Sequence, residues 1–290
     1  MADTGFDLSG FSAALAAATA KAAARVVAVE SGGHGISGVI WRDGLLVTAH
    51  EGLAGEEEFS VTLPSGEKRD ATLIGRDPST DVALLKLDTG AVGEWTAAPL
   101  PQPGSIALAV GRSEGSILAA FGVVSEAGPA WRSMRGGLID ARLVLGLRLS
   151  RRAEGGAVIA PDGTLIGLAV SGPRRQVLVI PASTIERAVA TLSSKGYVAR
   201  GYLGVSLHPL AGAGNSGAIV VGLEPEGPAA KAGLVVGDII TTWDGEAVDS
   251  VGAVSRRLGT DVVGQTAKLG LVRGGNAIDV TLTVGERPRA

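Results

Sequence analysis

The groups in this chain that can attack an electrophile or move a proton are oxygens, amines and three imidazoles, because its 290 residues include no cysteine. That removes disulfides, thiolate zinc sites and a cysteine nucleophile. Acyl transfer with the remaining groups needs an alcohol activated by an imidazole, a carboxylate that fixes the imidazole tautomer, and backbone N–H donors for the oxyanion. His34, between Gly33 and Gly35, reads as a solvated loop residue, whereas His50 follows a β-branched run and precedes Glu51. Ser150 and Ser171 lie on either side of Glu154, and serines in such loops more often serve turns than attack.

Short strands are the elements that must position these groups. The chain carries 44 glycines and only 3% aromatic residues, a balance that fits many strands joined by tight turns. Residues Phe11 to Val29 read as an alanine-rich helix running into a strand at Arg25 to Glu30. Strands follow at Gly38 to Trp41, Leu45 to Thr48, Phe59 to Leu63, Ala71 to Ile74, Ala83 to Leu87, Ile106 to Val110, Leu165 to Val170 and Val177 to Ile180. Turn pairs Asp43-Gly44, Ser65-Gly66 and Asp162-Gly163 separate several of them, a cadence that predicts a barrel or sandwich. The apolar spacing Ile185, Ala188, Val189, Leu192 predicts a helix ended by Gly196, and a further helix is expected near Ser250 to Leu258.

At this length roughly two domains are expected: an N-terminal helix and first strand (1–30) leading into one domain (31–195), then a second (196–290). With 46% hydrophobic and 19% charged residues the chain buries enough apolar surface to fold. A net charge of −3 gives no footprint for nucleic acid. The run Ala13 to Val29 is too short and, with Lys21 and Arg25, too charged to span a bilayer. The start Met1-Ala2-Asp3 leads into no basic and apolar signal pattern, so no secretory signal is expected.

Three blocks together resemble the HtrA/Deg family, trypsin-like serine proteases that carry PDZ domains. They are Asp43-Gly44-Leu45-Leu46-Val47-Thr48-Ala49-His50-Glu51, then Gly75-Arg76-Asp77-Pro78-Ser79-Thr80-Asp81-Val82, and Arg152-Ala153-Glu154-Gly155-Gly156-Ala157-Val158. The resemblance implies a mainly β fold, a trypsin-like double β-barrel followed by a C-terminal PDZ domain. It places Asp81 on the family's orienting aspartate. Counted without gaps, the family histidine falls on Glu51, with His50 one position earlier, and the family serine falls on Glu154. The oxyanion glycine and its neighbouring asparagine become Arg152 and Ala153. A one-residue shift in extended chain turns a side chain to the opposite face, so His50 is expected to point away from Asp81 unless the backbone re-forms there.

If Glu51, Asp81 and Glu154 share a cleft, they would either invite a hard cation or pair with arginines; pairing of Glu154 with Arg148, Arg151 or Arg152 is the favoured alternative. No metal and no cofactor is expected.

Arg200-Gly201-Tyr202-Leu203-Gly204-Val205, Gly227-Pro228-Ala229-Ala230-Lys231-Ala232-Gly233-Leu234 and Gly237-Asp238-Ile239-Ile240 resemble a PDZ domain of this family. By that resemblance Leu203, Gly204 and Val205 form the carboxylate-binding loop, and Ser206 and Leu207 begin the strand whose edge accepts a peptide. His208 lies in or beside that strand. Val254 and Leu258, four apart on one helical face, line the groove or pack the core.

The reading implied is a pseudoprotease serving as peptide-binding scaffold, chaperone or regulator. The alternative is an active endopeptidase using a displaced serine with His50 and Asp81. Expected partners are C-terminal or unfolded peptide segments, with a homotrimer contacting through Phe6 and Phe11, or association with an active homologue. By resemblance the compartment is the periplasm or cell envelope if a signal was removed, and otherwise the cytoplasm.

Overall fold

The computed structural model describes residues 7–212 and 215–288. They divide into two compact units, Met1–Trp131 with Ile139–Tyr197, and Arg132–Leu138 with Val198–Ala290.

The first unit opens on helix α1 (Leu8–Ala23), whose N-terminal N–H of Gly10 is accepted by the Asp7 carboxylate at 2.9 Å. Six strands then close a barrel: β1 (Val26–Ser31), β2 (His34–Arg42), β3 (Leu45–Ala49), β4 (Glu58–Thr62), β5 (Lys68–Asp77) and β6 (Val82–Lys86), ordered β1-β2-β3-β6-β5-β4. The boundary expected at residue 30 falls inside β1, which pairs with both β2 and β4. Val27, Val29, Ile36, Leu46, Val61 and Leu85 fill this barrel, each contributing roughly 1.5–3 kcal/mol by leaving water.

A second closed barrel takes β7 (Ile106–Ser113) and β8 (Ser116–Gly128), passes the short β9 (Trp131–Arg132) and β10 (Leu138–Ile139), and continues with β11 (Arg142–Leu145), β12 (Ala157–Ile159), β13 (Leu165–Ser171) and β14 (Val177–Pro181). Its order is β11-β14-β13-β12-β7-β8. Helix α2 (Ala182–Lys195) buries Ile185, Ala188, Val189 and Leu192, the predicted face, and ends at Gly196, whose N–H returns to the Leu192 carbonyl at 2.8 Å. It packs against β5, where a Cβ on Gly75 would stand 2.1 Å from the Gly196 carbonyl oxygen. Buried Arg112 of β7 ties down the end of α1, donating to the carbonyls of Ala23 and Val26 at 2.7 and 2.6 Å.

The second unit holds β15 (Gly201–Tyr202), β16 (Val205–Gly212), β17 (Asn215–Leu223), helix α3 (Pro228–Lys231), β18 (Ile239–Trp243), β19 (Glu246–Ala247), helix α4 (Val251–Arg257), β20 (Thr266–Arg273), β21 (Asn276–Thr283) and β22 (Gly285–Glu286). The main sheet runs β16-β17-β18-β20-β21, leaving β16 at an edge. Leu203, Val220, Leu234, Trp243, Val254 and Leu269 make its core. Fully buried Asp238 is held by two bonds from Arg273, each 2.7 Å, and by the Val235 N–H at 2.9 Å. Among the described residues no helix is long and apolar enough to cross a membrane.

Candidate functional site

Strand β3 ends at Ala49, and the chain turns at once, with the Leu53 N–H bonded to the His50 carbonyl at 3.1 Å. The one-residue alternation of a strand therefore stops before His50, and the two neighbours differ in depth, His50 half-buried and Glu51 exposed. Asp81 meets both through the backbone: its carbonyl accepts the His50 N–H at 3.2 Å, and its carboxylate Oδ1 accepts the Glu51 N–H at 2.7 Å. Asp81 adopts a left-handed conformation (φ 59°) just before β6. Asp77 prepares that bend, because its buried carboxylate accepts the Ser79 N–H at 2.9 Å and the hydroxyls of Ser79 and Thr80 at 2.5 Å each. Arg76 fixes the facing loop by donating to the Ala54 and Glu56 carbonyls at 2.6 and 3.0 Å. Burial pulls the Arg76 guanidinium below its ordinary pKa, and the Glu56 carboxylate opposes that shift.

The segment expected from the motifs to hold the nucleophile position is a single 3-10 turn, Arg151–Ala153, followed by Glu154 in extended conformation. Four successive N–H groups are committed there. Ala153 donates to the Ser150 carbonyl (2.8 Å), Glu154 to Arg151 (3.2 Å), Gly155 to Ala169 (2.8 Å) and Gly156 to Ala153 (3.0 Å). A donor spent in the turn does not stabilise a developing oxyanion. Glu154 is 8% exposed, and its Oε1 accepts the Ser171 N–H at 3.1 Å while its carbonyl accepts the Ser37 N–H at 2.8 Å. Gly155 has φ 79°, and a Cβ there would lie 2.3 Å from the Ser37 carbonyl oxygen, so the turn requires glycine twice over.

Fully buried Ser37 organises this region. Its hydroxyl donates to the Arg152 carbonyl at 2.7 Å and accepts the Arg112 N–H at 2.8 Å, and its own carbonyl accepts the Thr48 hydroxyl at 2.7 Å. Neither Ser37 nor the Asp77-Ser79-Thr80 cluster was singled out by sequence reasoning. The run Asp77-Pro78-Ser79-Thr80 does carry a signal for the cluster, since Asp two residues before Ser favours a local side-chain-to-backbone turn.

The pairing expected for Glu154 is a correction. Among the described residues no ion pair reaches it, and its carboxylate is satisfied by the Ser171 backbone instead. Arg152 lines a cavity of about 680 Å³ together with Glu30, Glu56, Glu58, Glu114 and His34. His34 opens β2, is exposed, and has Nδ1 3.1 Å from the Gly32 carbonyl oxygen. The alternative cation site has no support either, because among the described residues no three His, Asp or Glu side chains gather as ion ligands.

In the second unit, Leu203 is buried in the core and Gly204 is left-handed (φ 73°). The loop is pinned from behind, the carbonyls of Leu203 and Gly204 accepting the N–H groups of Ala229 and Glu224 at 2.9 and 2.8 Å. Ser206 and Leu207 lie in edge strand β16, and Val205 and Leu207 pack half-buried on the core. Val254 is 1% exposed, within the core cluster. The shared helical face expected for Val254 and Leu258 is corrected: α4 stops at Arg257, and Leu258 caps it with φ −91° and ψ 47°, outside the helix.

A model of the trypsin-like peptidase domain matches residues 36–168, and one of the PDZ domain matches residues 201–284. A probable periplasmic serine endoprotease DegP-like of Brucella suis biovar 1 (strain 1330) is 31% identical over 282 residues, covering 86% of this chain and 52% of that protein. The chain belongs to the HtrA family. A second DegP-like relative of the HtrA chain, from Rhizobium meliloti (strain 1021), is 30% identical over 277 residues, covering 86% of this chain and 52% of its own length. The HtrA chain thus spans about half the length of these curated relatives. The solved HtrA-type protease AlgW with decapeptide superposes with TM-score 0.72 at 25% identity, covering 95% of this chain and 99% of that one. A serine endoprotease from Yersinia pestis gives TM-score 0.72 at 27% identity, covering 93% and 97%. The trypsin-like double barrel followed by a PDZ domain, expected from the motifs, is the fold of this HtrA chain.

Proposed function

We propose that this HtrA chain is a pseudoprotease whose second unit binds peptide segments, a scaffold, chaperone or regulator beside an active homologue. The observation that carries the reading is Glu154 at the nucleophile position, with its carboxylate on the Ser171 N–H and its own N–H bonded to Arg151. A carboxylate there supplies no alcohol for imidazole activation. The Asp81 carboxylate accepts the Glu51 N–H, in keeping with Glu51 rather than His50 at the family's histidine position.

Peptide binding is supported by the open edge of β16 beside the Leu203–Val205 loop, and by the similar structure of the HtrA-type protease AlgW with decapeptide. Ser206 and Leu207 continue that edge in β16, whereas Val254, 1% exposed, packs the core with Leu258 partly buried against it. Association with further copies is supported by apolar side chains left outward on β8, Ile117 (49% exposed), Phe121 (59%) and Val123 (44%), with Phe11 of α1 edge-to-face on Phe121 at 6.5 Å; Phe6 lies outside the described residues. The relatives named as periplasmic support an envelope compartment.

The test is incubation of the full chain with unfolded casein, with a fluorophosphonate probe in parallel. No cleavage and no labelling are expected. Turnover abolished by Asp81→Ala would favour the displaced-serine endopeptidase instead.

A further inference from the structure

The open edge of β16 sets how long a partner strand it takes, and β17 shows which backbone groups point there. Val220 donates its N–H to the Asp238 carbonyl and accepts the Gly237 N–H, both at 2.8 Å, so its two groups face β18. Backbone groups alternate sides along a strand, so those of Ala218, two residues earlier, also face β18. Their partners across the β16–β17 ladder are Leu207 and Pro209. Both are therefore non-hydrogen-bonded pairs, and Leu207 and Pro209 turn their own backbone groups to the free edge.

The two positions offer different chemistry. Leu207 presents an N–H donor and a carbonyl acceptor, the pair that an added strand requires. Pro209 has no N–H, which is tolerated because that side of an edge strand carries no ladder. Its carbonyl oxygen lies 3.0 Å from Nδ1 of the exposed His208 imidazole, and since a carbonyl only accepts, the ring nitrogen is the donor. The donor at position 209 is missing and the acceptor is already engaged.

We propose that Pro209 and His208 form a stop that limits the docked strand to about the last three residues of an apolar peptide C-terminus. This rests on the reading of the second unit as a C-terminal peptide binder. The terminal carboxylate takes the N–H groups of the Leu203–Val205 loop. The residue two before it exchanges both backbone bonds with Leu207, and the residue four before it meets Pro209 and finds no ladder. Val205 and Leu207, half-buried against the core, give the groove its apolar character.

The experiment is fluorescence anisotropy of the full chain with labelled heptapeptides ending in Leu, Ile, Val or Phe with free carboxylates, and with their five- and three-residue truncations carrying the same C-termini. Affinity equal within twofold across the three lengths is expected. Pro209→Val restores one donor, worth about 1 kcal/mol, and is expected to make the heptapeptide bind roughly fivefold tighter than the tripeptide. Native affinity that rises tenfold or more from three to seven residues would overturn the stop while leaving the C-terminal reading intact. No binding by any peptide, or equal binding of C-terminally amidated peptides, would overturn the reading beneath it and the stop together.

Discussion

Ser37 spends its hydroxyl and both backbone groups on Arg152, Arg112, Glu154 and Thr48, so its removal is felt at several buried partners. Ser37→Ala leaves the Arg112 N–H and the Arg152 carbonyl without that hydroxyl. A loss of about 2 kcal/mol is expected from unsatisfied buried groups, read as a midpoint shift in urea unfolding; an unchanged midpoint would refute the assignment. Asp238 is the second residue on which stability turns. The Arg273 guanidinium, with the Val235 N–H, holds its carboxyl below the usual aspartate range against the opposing effect of burial. A depressed carboxylate stabilises the fold above its unfolded pKa of about 3.9 and loses that contribution as pH falls through the lower folded value. Acid titration is expected to show a stability loss below about pH 4 that Asp238→Asn makes smaller, at the cost of weaker stability at neutral pH. Equal acid sensitivity in the two proteins would refute the linkage.

At the scale of elements, α2 meets β5 with backbone against backbone at Gly75 and Gly196. Gly75→Ala is expected to cost about 1–3 kcal/mol by overpacking, with a matching fall in Tm; a neutral substitution would show that the helix end yields. Most strands were legible because apolar runs and turn pairs mark them, and α2 because its 3.6-residue face is clean. Strand β8 was not. Its segment Ser116–Gly128 leaves Ile117, Phe121 and Val123 exposed, so it lacks the apolar-in, polar-out alternation that marks a strand. The site divides the same way. The segments around Asp81 and Glu154 were marked out by motif order, whereas the 3-10 turn between Ser150 and Glu154 is announced by nothing in Arg151-Arg152-Ala153. Ser37 in Gly35-Ile36-Ser37-Gly38 reads like any small strand residue until the fold buries it.

For the molecule as a whole, the two units carry separate cores and separate chemistry. The first keeps the double barrel of a trypsin-like domain with the carboxylate of Glu154 buried in it, and the second keeps an open strand edge beside a backbone loop. Restoring one residue is not expected to restore catalysis. In Glu154→Ser the N–H groups of residues 153–156 stay committed to Ser150, Arg151, Ala169 and Ala153, so casein turnover should stay at background; turnover in that single variant would show that the turn opens on its own. The most direct measurement is mass-spectrometric detection of fluorophosphonate adducts on the native full chain, together with casein cleavage. The account predicts no modified serine and no cleavage. A labelled serine, with cleavage that His50→Ala and Asp81→Ala both abolish, would contradict it.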